Sequence, residues 1–199
     1  MQSCQETHQC LKRPSFGTGP SWLIDVEKEC LVSVATLPAD ARYCALSYVW
    51  GQVETSKFTV GLEGTFQRPG VFSLANNEVI VPKTVRHAIG LVRLLGEKYL
   101  WVDAFCIAQD DEAHFHVELR NMGAIYDRAY LTIVAATGWD ANEGFRGLAE
   151  VTPPRQLASN FADDLHKYSN PGYMIWVRHP IATVTSLFFS VGTLKIADM

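Results

Sequence analysis

The stretch of the chain with the clearest potential for chemistry covers residues 99–111, with the sequence YLWVDAFCIAQDD. It opens with four apolar residues, a pattern typical of a strand buried on both faces. Asp103 follows at once, and a carboxylate at the end of a buried strand must be paired or hydrogen-bonded. In open α/β sheets, ligands bind at the carboxyl ends of the strands. This stretch is therefore the first candidate for a functional site.

The polar residues of this stretch allow two interpretations. In a binding site, Asp103, Asp110 and Asp111 would contact a nucleotide ribose or a cation at the sheet edge, and Gln109 is counted with them as a ligand-binding candidate. As structural residues, Asp103 would accept hydrogen bonds from backbone amides, while Asp110 and Asp111 would cap the next helix. The sequence leaves both interpretations open.

Cys106 is a further ligand-binding candidate, and it raises the question of a cysteine nucleophile, which needs a neighbouring base. His114 and His116 lie two residues apart, so they face different sides of a helix, and the sequence places neither beside the thiol. We therefore favour a buried, inert thiol.

A second group of candidates ends the run of residues 43–51, which has a strong strand pattern. Ser47, Trp50 and Gly51 would lie near its carboxyl end. Trp50 offers a stacking face beside a glycine that permits close backbone approach, although Trp50 in the core is the alternative. Ser47 is a ligand-contact candidate and not a nucleophile, because the sequence around it lacks the G-x-S-x-G elbow.

Asp103 and Glu143 are the candidate catalytic carboxylates. Glu143 falls in a polar turn after the third strand of the series, at the same sheet edge, where a solvated loop carboxylate is the alternative. Glu118 is predicted to face solvent beside Leu119. The chain has no glycine-rich phosphate loop. Cys4, His8 and Cys10 offer three zinc ligands where a structural site needs four, so no metal site and no cofactor are expected.

The elements that must position these residues follow from hydrophobic periodicity. Residues 82–96 are the clearest helix, with one apolar face, proline in the first turn and glycine just past the end. A second helix runs from the acidic residues 110–111 to about Arg128. Its apolar face is predicted to contain the following residues: Phe115, Leu119, Met122, Ile125 and Tyr126.

Strands and helices alternate from residue 43 to residue 136, which indicates right-handed crossovers and a parallel sheet. Two short β-prone runs at residues 22–26 and 30–34 predict an antiparallel hairpin before it. Residues 52–77 are expected to form an excursion or a β-ribbon. The predicted fold is α/β: a mostly parallel central sheet with flanking helices and an N-terminal β-hairpin.

Composition sets the class of protein. The 199 residues are 48% hydrophobic and 19% charged, as in a globular domain, and the net charge of -4 with no basic cluster argues against nucleic acid or an anionic membrane surface as partner. The most apolar segment, residues 181–194, is too short for a membrane span. Five cysteines at irregular spacing and the polar start MQSCQETHQC predict a cytoplasmic location.

Three blocks together resemble the fungal heterokaryon incompatibility (HET) domain. They are residues 45–51 (ALSYVWG), residues 100–111 (LWVDAFCIAQDD) preceded by 81–86 (VPKTVR), and residues 122–136 (MGAIYDRAYLTIVAA). Residues 23–26 (LIDV) and 140–144 (DANEG) resemble the flanks of that domain. The resemblance covers residues 22–148, so the predicted organisation is an N-terminal arm (1–21), a HET domain (22–150) and a divergent tail (151–199).

The resemblance carries expectations about function. HET domains occur in proteins that trigger cell death when genetically different hyphae fuse, and they are distantly similar to Toll/interleukin-receptor (TIR) domains, which have a flavodoxin-like sheet. In that comparison residues 45–51 and 100–106 match the first two TIR strands. Some TIR domains cleave NAD with a glutamate on a later helix, and others act only as assembly modules.

The chain departs from the family pattern downstream. A HET block of the type Arg-Gly-Trp-Thr-x-Gln-Glu is missing, since Trp176 is followed by VRHP. We expect a truncated or divergent tail. The leading prediction is a non-self recognition and cell-death module that acts through protein partners or self-association. The alternatives are a TIR-like NAD glycohydrolase, with NAD as substrate, and a degenerate, non-functional fragment. The missing block favours the first and third.

Overall fold

Five strands form one sheet in the computed structural model, which describes residues 18–135, 139–145, 148, 151 and 152. The strands are β1 (Trp22–Asp25), β2 (Cys30–Ser33), β3 (Cys44–Ser47), β4 (Tyr99–Trp101) and β5 (Leu131–Val134). The helices of the described residues are α1 (Glu63–Phe66), α2 (Lys83–Leu94), α3 (Asp103–Cys106) and α4 (Glu112–Arg128), with 3-10 turns at Val34–Thr36 and Val60–Leu62. The spatial order of the strands is β2-β1-β4-β3-β5.

The three strands that carry the candidate residues are parallel, as the alternation of strand and helix predicts. β3 lies between β4 and β5, and Ala45 stands opposite both Trp101 and Thr132. Helix α2 connects β3 to β4, and α4 connects β4 back across the sheet to β5. Because such crossovers are right-handed, the two helices cover opposite faces. The carboxyl ends of all three strands therefore meet at one edge.

The expectation of a mostly parallel sheet needs correction. The hairpin of β1 and β2 forms as predicted, but it also joins the sheet, because β1 pairs antiparallel with β4. Ile24 stands opposite Leu100, and the Val26 amide donates to the Lys98 carbonyl at 2.9 Å. Two of the four pairings are thus antiparallel, and the sheet is mixed. The hairpin satisfies the backbone groups at the outer edge of β4, which would otherwise be left unpaired.

Helix α2 closely follows its sequence signals. Pro82 occupies the N-cap, and Gly96 adopts a positive φ of 71° just past the end. The Gly96 amide donates to Arg93 and the Glu97 amide to Val92, both at 3.0 Å, which is the Schellman pattern. The predicted apolar face is buried except for Leu95, which is 39% exposed because it lies in the last turn.

Helix α4 begins where predicted, but its inward face differs. The Asp111 carboxylate caps it by accepting from the His114 amide at 3.1 Å. Leu119 is 41% exposed and Glu118 only 3%, so the prediction that Glu118 faces solvent was wrong. The buried stripe contains Glu118 and Ile125, seven residues apart, and this places Leu119 about 100° away from the sheet.

Residues 52–77 form an irregular excursion with no strand, so the β-ribbon alternative was wrong. The excursion fills the core with aromatic side chains. Phe66 packs against Phe58, Phe72 and Phe105 at ring-centroid distances of 5.5, 5.8 and 6.1 Å. Arg86 of α2 fixes this excursion by donating to the Val81 and Phe72 carbonyls.

Parts of the predicted organisation lie outside the described residues. Most of the N-terminal arm, the Cys4, His8 and Cys10 group and almost all of the tail fall there. Of the arm, the Thr18 hydroxyl accepts from the Asn121 side chain of α4 at 2.7 Å. At the other end, a Cβ on Gly90 of α2 would meet Val151 at 2.7 Å, so Val151 packs against this helix.

Gly96, just past the end of α2, and Gly123, inside α4, provide a matched test of the Schellman end of α2. Neither has an atom within 4 Å of the position of an added Cβ, but only Gly96 has a positive φ. We expect Gly96→Ala to destabilise the protein by about 1–2 kcal/mol through left-handed strain, and Gly123→Ala, inside α4, to stabilise it by about 1 kcal/mol. Urea unfolding measures both. Equal effects would contradict the Schellman cap.

Candidate functional site

Two of the sequence-predicted residues meet at the carboxyl ends of β3 and β4. The indole Nε1 of Trp50 donates to Oδ1 and Oδ2 of Asp103, at 3.2 and 3.1 Å. The Ala104 amide donates to Oδ1 of the same carboxylate at 2.8 Å. Asp103 is the first residue of α3, so its carboxylate also lies in the first turn of that helix. These bonds tie the two strand ends together.

Burial dominates the ionisation of Asp103. Desolvation raises the pKa of its carboxyl above the ordinary range, while the hydrogen bonds from the Ala104 and Trp50 N–H groups work in the opposite direction. Burial of the Tyr48 hydroxyl, followed by the nearby Asp103 carboxylate, raises the pKa of that hydroxyl. Asp103 is therefore a half-buried carboxylate whose known donors are supplied by the protein itself.

A cation lies beside the Trp50–Asp103 pair. The Lys57 ammonium lies 5.4 Å from the centroid of the Trp50 ring, within the range of a cation–π interaction. Lys57 belongs to the irregular excursion, and no sequence signal connects it with Trp50. A carboxylate, an indole and an ammonium from three separate segments of the chain thus lie close together.

Gly51 is where two segments of backbone come closest. Its φ is 64°, and a Cβ at this position would lie 2.3 Å from Cβ and 2.8 Å from Cα of Asp140. The neighbouring Ala141 amide donates to the Trp50 carbonyl at 3.1 Å. The glycine therefore allows residues 139–145 to dock against the turn after β3.

The segment 139–145 also docks on the N-terminus of α2. The Thr84 amide donates to the Ala141 carbonyl at 2.9 Å, and the Thr84 hydroxyl accepts from the Gly144 amide at 3.0 Å. The Phe145 amide donates to Nδ1 of His87 at 2.8 Å, and burial lowers the pKa of that imidazole. Glu143 lies in this segment, half-buried, with its amide 3.5 Å from the Asp140 carbonyl.

Ser47 points to the face of the sheet covered by α4. Its side chain hydrogen-bonds Tyr126, whose hydroxyl donates to the Leu46 carbonyl at 3.2 Å. Burial raises the pKa of Tyr126 to about 12. Ser47 is thus engaged with a helix side chain and is not grouped with Trp50 and Asp103.

Cys106 is fully buried, and burial raises the pKa of its thiol. The Sγ accepts from the Val102 amide at 3.4 Å. Of the two histidines considered as bases, His114 contacts Ser21 and Glu118, and the His116 side chain is 61% exposed. An inert thiol is the interpretation that this environment supports.

Gln109 and Asp110 have local partners. The Gln109 side-chain amide donates to the Ile107 carbonyl at 2.9 Å. Asp110 does not cap α4; its Oδ1 accepts from the Val60 amide at 2.9 Å and holds the 3-10 turn of the excursion. Asp111 alone has the predicted capping role.

Glu118 is the residue whose predicted position differs most from its position in the structure. Its Oε1 accepts from the Ser21 hydroxyl at 2.6 Å and lies 3.9 Å from Nε2 of His114. Its Oε2 is buried without a hydrogen-bond partner among the described residues, and so is Nε1 of Trp101. Trp101 packs edge-on against Tyr126 of the same helix, with ring centroids 5.3 Å apart. No charge pattern in the sequence signals a buried carboxylate here.

Within the described ranges, no group of three or more His, Cys, Asp or Glu side chains is arranged to hold a metal ion. Among the described helices, none is long and apolar enough to cross a membrane. Cys30, Cys44 and Cys106 are buried free thiols.

Fold and site together define an α/β protein with a mixed sheet, whose first two parallel strand ends are joined by a Trp–Asp hydrogen bond. The family model described as "Heterokaryon incompatibility protein (HET)" matches residues 43–185, and the chain belongs to this family. The match extends past residue 150, and the end of the domain stays a prediction.

One relative has a name that bears on function. "Heterokaryon incompatibility protein 6, OR allele" of Neurospora crassa is 31% identical over 131 residues, which is 61% of this chain and 18% of the relative. The chain thus spans less than a fifth of that protein's length. No solved structure matches the chain.

The raised pKa of Asp103 predicts a pH effect with a definite sign. A carboxyl whose pKa is higher in the folded state binds more protons there, so stability falls as pH rises from the ordinary value of 3.8 through the folded pKa. Asp103→Asn keeps an acceptor for Ala104 and Trp50 but cannot ionise. We expect the variant to gain stability relative to the wild type over this pH range, as measured by urea unfolding. A difference in stability between variant and wild type that stays constant across this pH range would contradict the raised pKa of Asp103.

The close approach at Gly51 predicts a larger effect than strain alone. Gly51→Ala adds the left-handed penalty and also pushes against the backbone of Asp140, which cannot move aside as a side-chain tip can. We expect it to destabilise the protein by about 1–3 kcal/mol more than Gly96→Ala. Thermal unfolding of the two variants measures the difference. Equal losses of stability would show that residues 139–145 can move away from position 51 at little cost.

Proposed function

We propose that this chain is a non-self recognition module of heterokaryon incompatibility that triggers cell death through protein contact. Family membership and the name of the Neurospora relative support the biological process. The chain covers only 18% of that relative, so the cell-death activity is proposed here for the module itself. Its contacts would be with partner proteins or with further copies of the chain.

The observation that carries the contact mechanism is how the candidate catalytic carboxylates are used. Of the two candidates, Asp103 accepts hydrogen bonds from Trp50 and Ala104, and Glu143 lies half-buried in the segment 139–145. The Asp103 carboxylate, which a catalytic site would turn toward a ligand, is therefore engaged in holding the fold. At the same edge, Trp139 is 91% exposed and Val49 is 53% exposed, which is a surface suited to a protein partner.

The alternative is a TIR-like NAD glycohydrolase, and one feature of the fold favours it. The three parallel strands lie in the order second-first-third, which is how a flavodoxin-like sheet begins, and such sheets bind ligands at the carboxyl ends of their strands. The bond between nicotinamide and ribose would break with its electron pair leaving on nicotinamide. A carboxylate, Asp103 or Glu143, would stabilise the oxocarbenium-like state until water adds.

A nicotinamide-release assay separates the two functions. We expect the purified 199-residue chain, shown to be folded by circular dichroism, to release no nicotinamide from NAD above the rate of a heat-denatured sample. Asp103→Asn and Glu143→Gln are measured alongside. Release that either substitution abolishes would overturn the contact mechanism and establish the hydrolase.

Expression in a filamentous fungus tests the biological role. We expect induced expression of the chain to arrest hyphal growth and to do so equally in Asp103→Asn, which retains the Trp50 bond but lacks the charge. Arrest lost in Asp103→Asn alone would indicate carboxylate chemistry. Absence of arrest from folded, expressed protein would leave the degenerate-copy alternative.

A further inference from the structure

Trp139 is the most exposed large apolar side chain among the described residues, at 91%. An isolated tryptophan in water is unfavourable, and tryptophan is enriched among the residues that dominate binding energy at interfaces. Asp140 follows it directly and accepts from the Asn142 amide through Oδ1 at 2.8 Å. We call Trp139 and Asp140 the knob.

The backbone that presents the knob is fixed from several directions. Asp140 packs against the Cα of Gly51, the Ala141 amide donates to the Trp50 carbonyl, and the Ala141 carbonyl accepts from Thr84. A loop already held in place gives up little conformational entropy on binding. The exposed indole is thus presented on a preorganised support.

A surface that suits the knob lies on the outer side of α4. His116, Leu119 and Arg120 line a depression of about 500 Å³, which we call the socket. Leu119 is 41% exposed there, and the Nε of Arg120 donates to the His116 carbonyl at 3.2 Å. That bond holds the guanidinium beside the apolar floor. The depression is shallow and open to solvent, so it offers a surface for one face of an indole.

We propose that the knob of one copy of this chain docks in the socket of a second copy. The proposal rests on the proposed contact function and names the partner as the chain itself. The indole of Trp139 covers Leu119 and stacks on the Arg120 guanidinium, a favourable cation–π arrangement. Asp140 brings a negative charge to a socket that carries Arg120, so these two residues are complementary in charge.

The position of the two surfaces determines the kind of assembly. The knob sits against the N-terminus of α2, and the socket lies on α4, which covers the opposite face of the sheet. One copy therefore cannot satisfy its own socket, and the contact joins two different surfaces. Such head-to-tail contacts form rings or open filaments, in contrast to twofold dimers.

Sedimentation velocity of the full chain over a range of concentrations is the first measurement. We expect the wild type to associate with rising concentration, and Trp139→Ala and Leu119→Glu each to weaken association by about 30-fold or more. Leu74→Glu is the matched control, since Leu74 is 82% exposed in the excursion and belongs to neither surface. A wild type that stays monomeric, or a Trp139→Ala variant that associates like the wild type, would overturn the proposal.

Mixing the two variants tests the head-to-tail geometry. Trp139→Ala retains an intact socket and Leu119→Glu an intact knob, so an equimolar mixture should form a heterodimer that cannot extend. A mixture that remains monomeric would refute the contact. If either variant fails to fold by circular dichroism, Asp140→Asn and Arg120→Gln replace them, because each removes a charge from one of the two surfaces and Asp140→Asn keeps the acceptor for the Asn142 amide.

Growth arrest in the fungus and self-association in solution are separate readouts, so failure of one does not mimic failure of the other. An associating chain that does not arrest growth would leave the knob-and-socket contact standing and overturn the proposed function. If the Trp139→Ala variant is monomeric and still arrests growth as strongly as the wild type, the proposed function stands. That result would show that growth arrest does not depend on the knob-and-socket contact.

Discussion

The hydrogen bonds between Trp50 and Asp103 are the constraint on which this edge of the molecule depends. A carboxylate removed from water needs donors, and here the indole N–H and the Ala104 amide provide them. Trp50 follows β3 and Asp103 follows β4, so the bonds that satisfy this half-buried carboxylate also fix the relation between the ends of two parallel strands. Burial still prevails in the balance, since the pKa of Asp103 remains raised.

The position of Trp50 in turn determines the contacts of the residues that follow it. Trp50 held in place sets the position of Gly51, and the lack of a side chain at Gly51 lets Asp140 approach closely. The segment 139–145 then reaches across to Thr84 and His87 at the start of α2. The turn after β3, the loop after β5 and the helix between β3 and β4 thus form one hydrogen-bonded unit, although they are far apart in sequence.

The features that the sequence predicts well are those with local causes. The Schellman end of α2, the Asp111 cap of α4 and the β1–β2 hairpin each depend on residues a few positions apart, whose preferences are visible in the chain. Trp50 and Asp103 were both candidates because each ends a recognisable strand. Their direct bond was not predicted, because periodicity shows which edge a side chain belongs to and not which donor it finds.

The features that the sequence did not predict are set by contacts between distant segments. The hairpin joins β4 because that strand has a free edge, and nothing in the hairpin's own sequence specifies this partner. Glu118 is buried because Ser21, nearly a hundred residues earlier, donates to it, whereas a charged residue beside Leu119 normally indicates solvent. Lys57 reaches Trp50 from an irregular segment that has no periodicity from which to infer its direction.

The distribution of polar and apolar groups at the strand ends favours contact over catalysis. In α/β enzymes of this topology, polar groups at the carboxyl edge are left free to hold a ligand. Here the corresponding carboxylate serves the fold, whereas the exposed side chains at that edge include the apolar Val49 and Trp139. Covering these two side chains would remove apolar area from water, which is the driving force of the contact proposed above. Trp50 links the two features, because its indole donates to Asp103 and its carbonyl accepts from the Ala141 amide, two residues after Trp139.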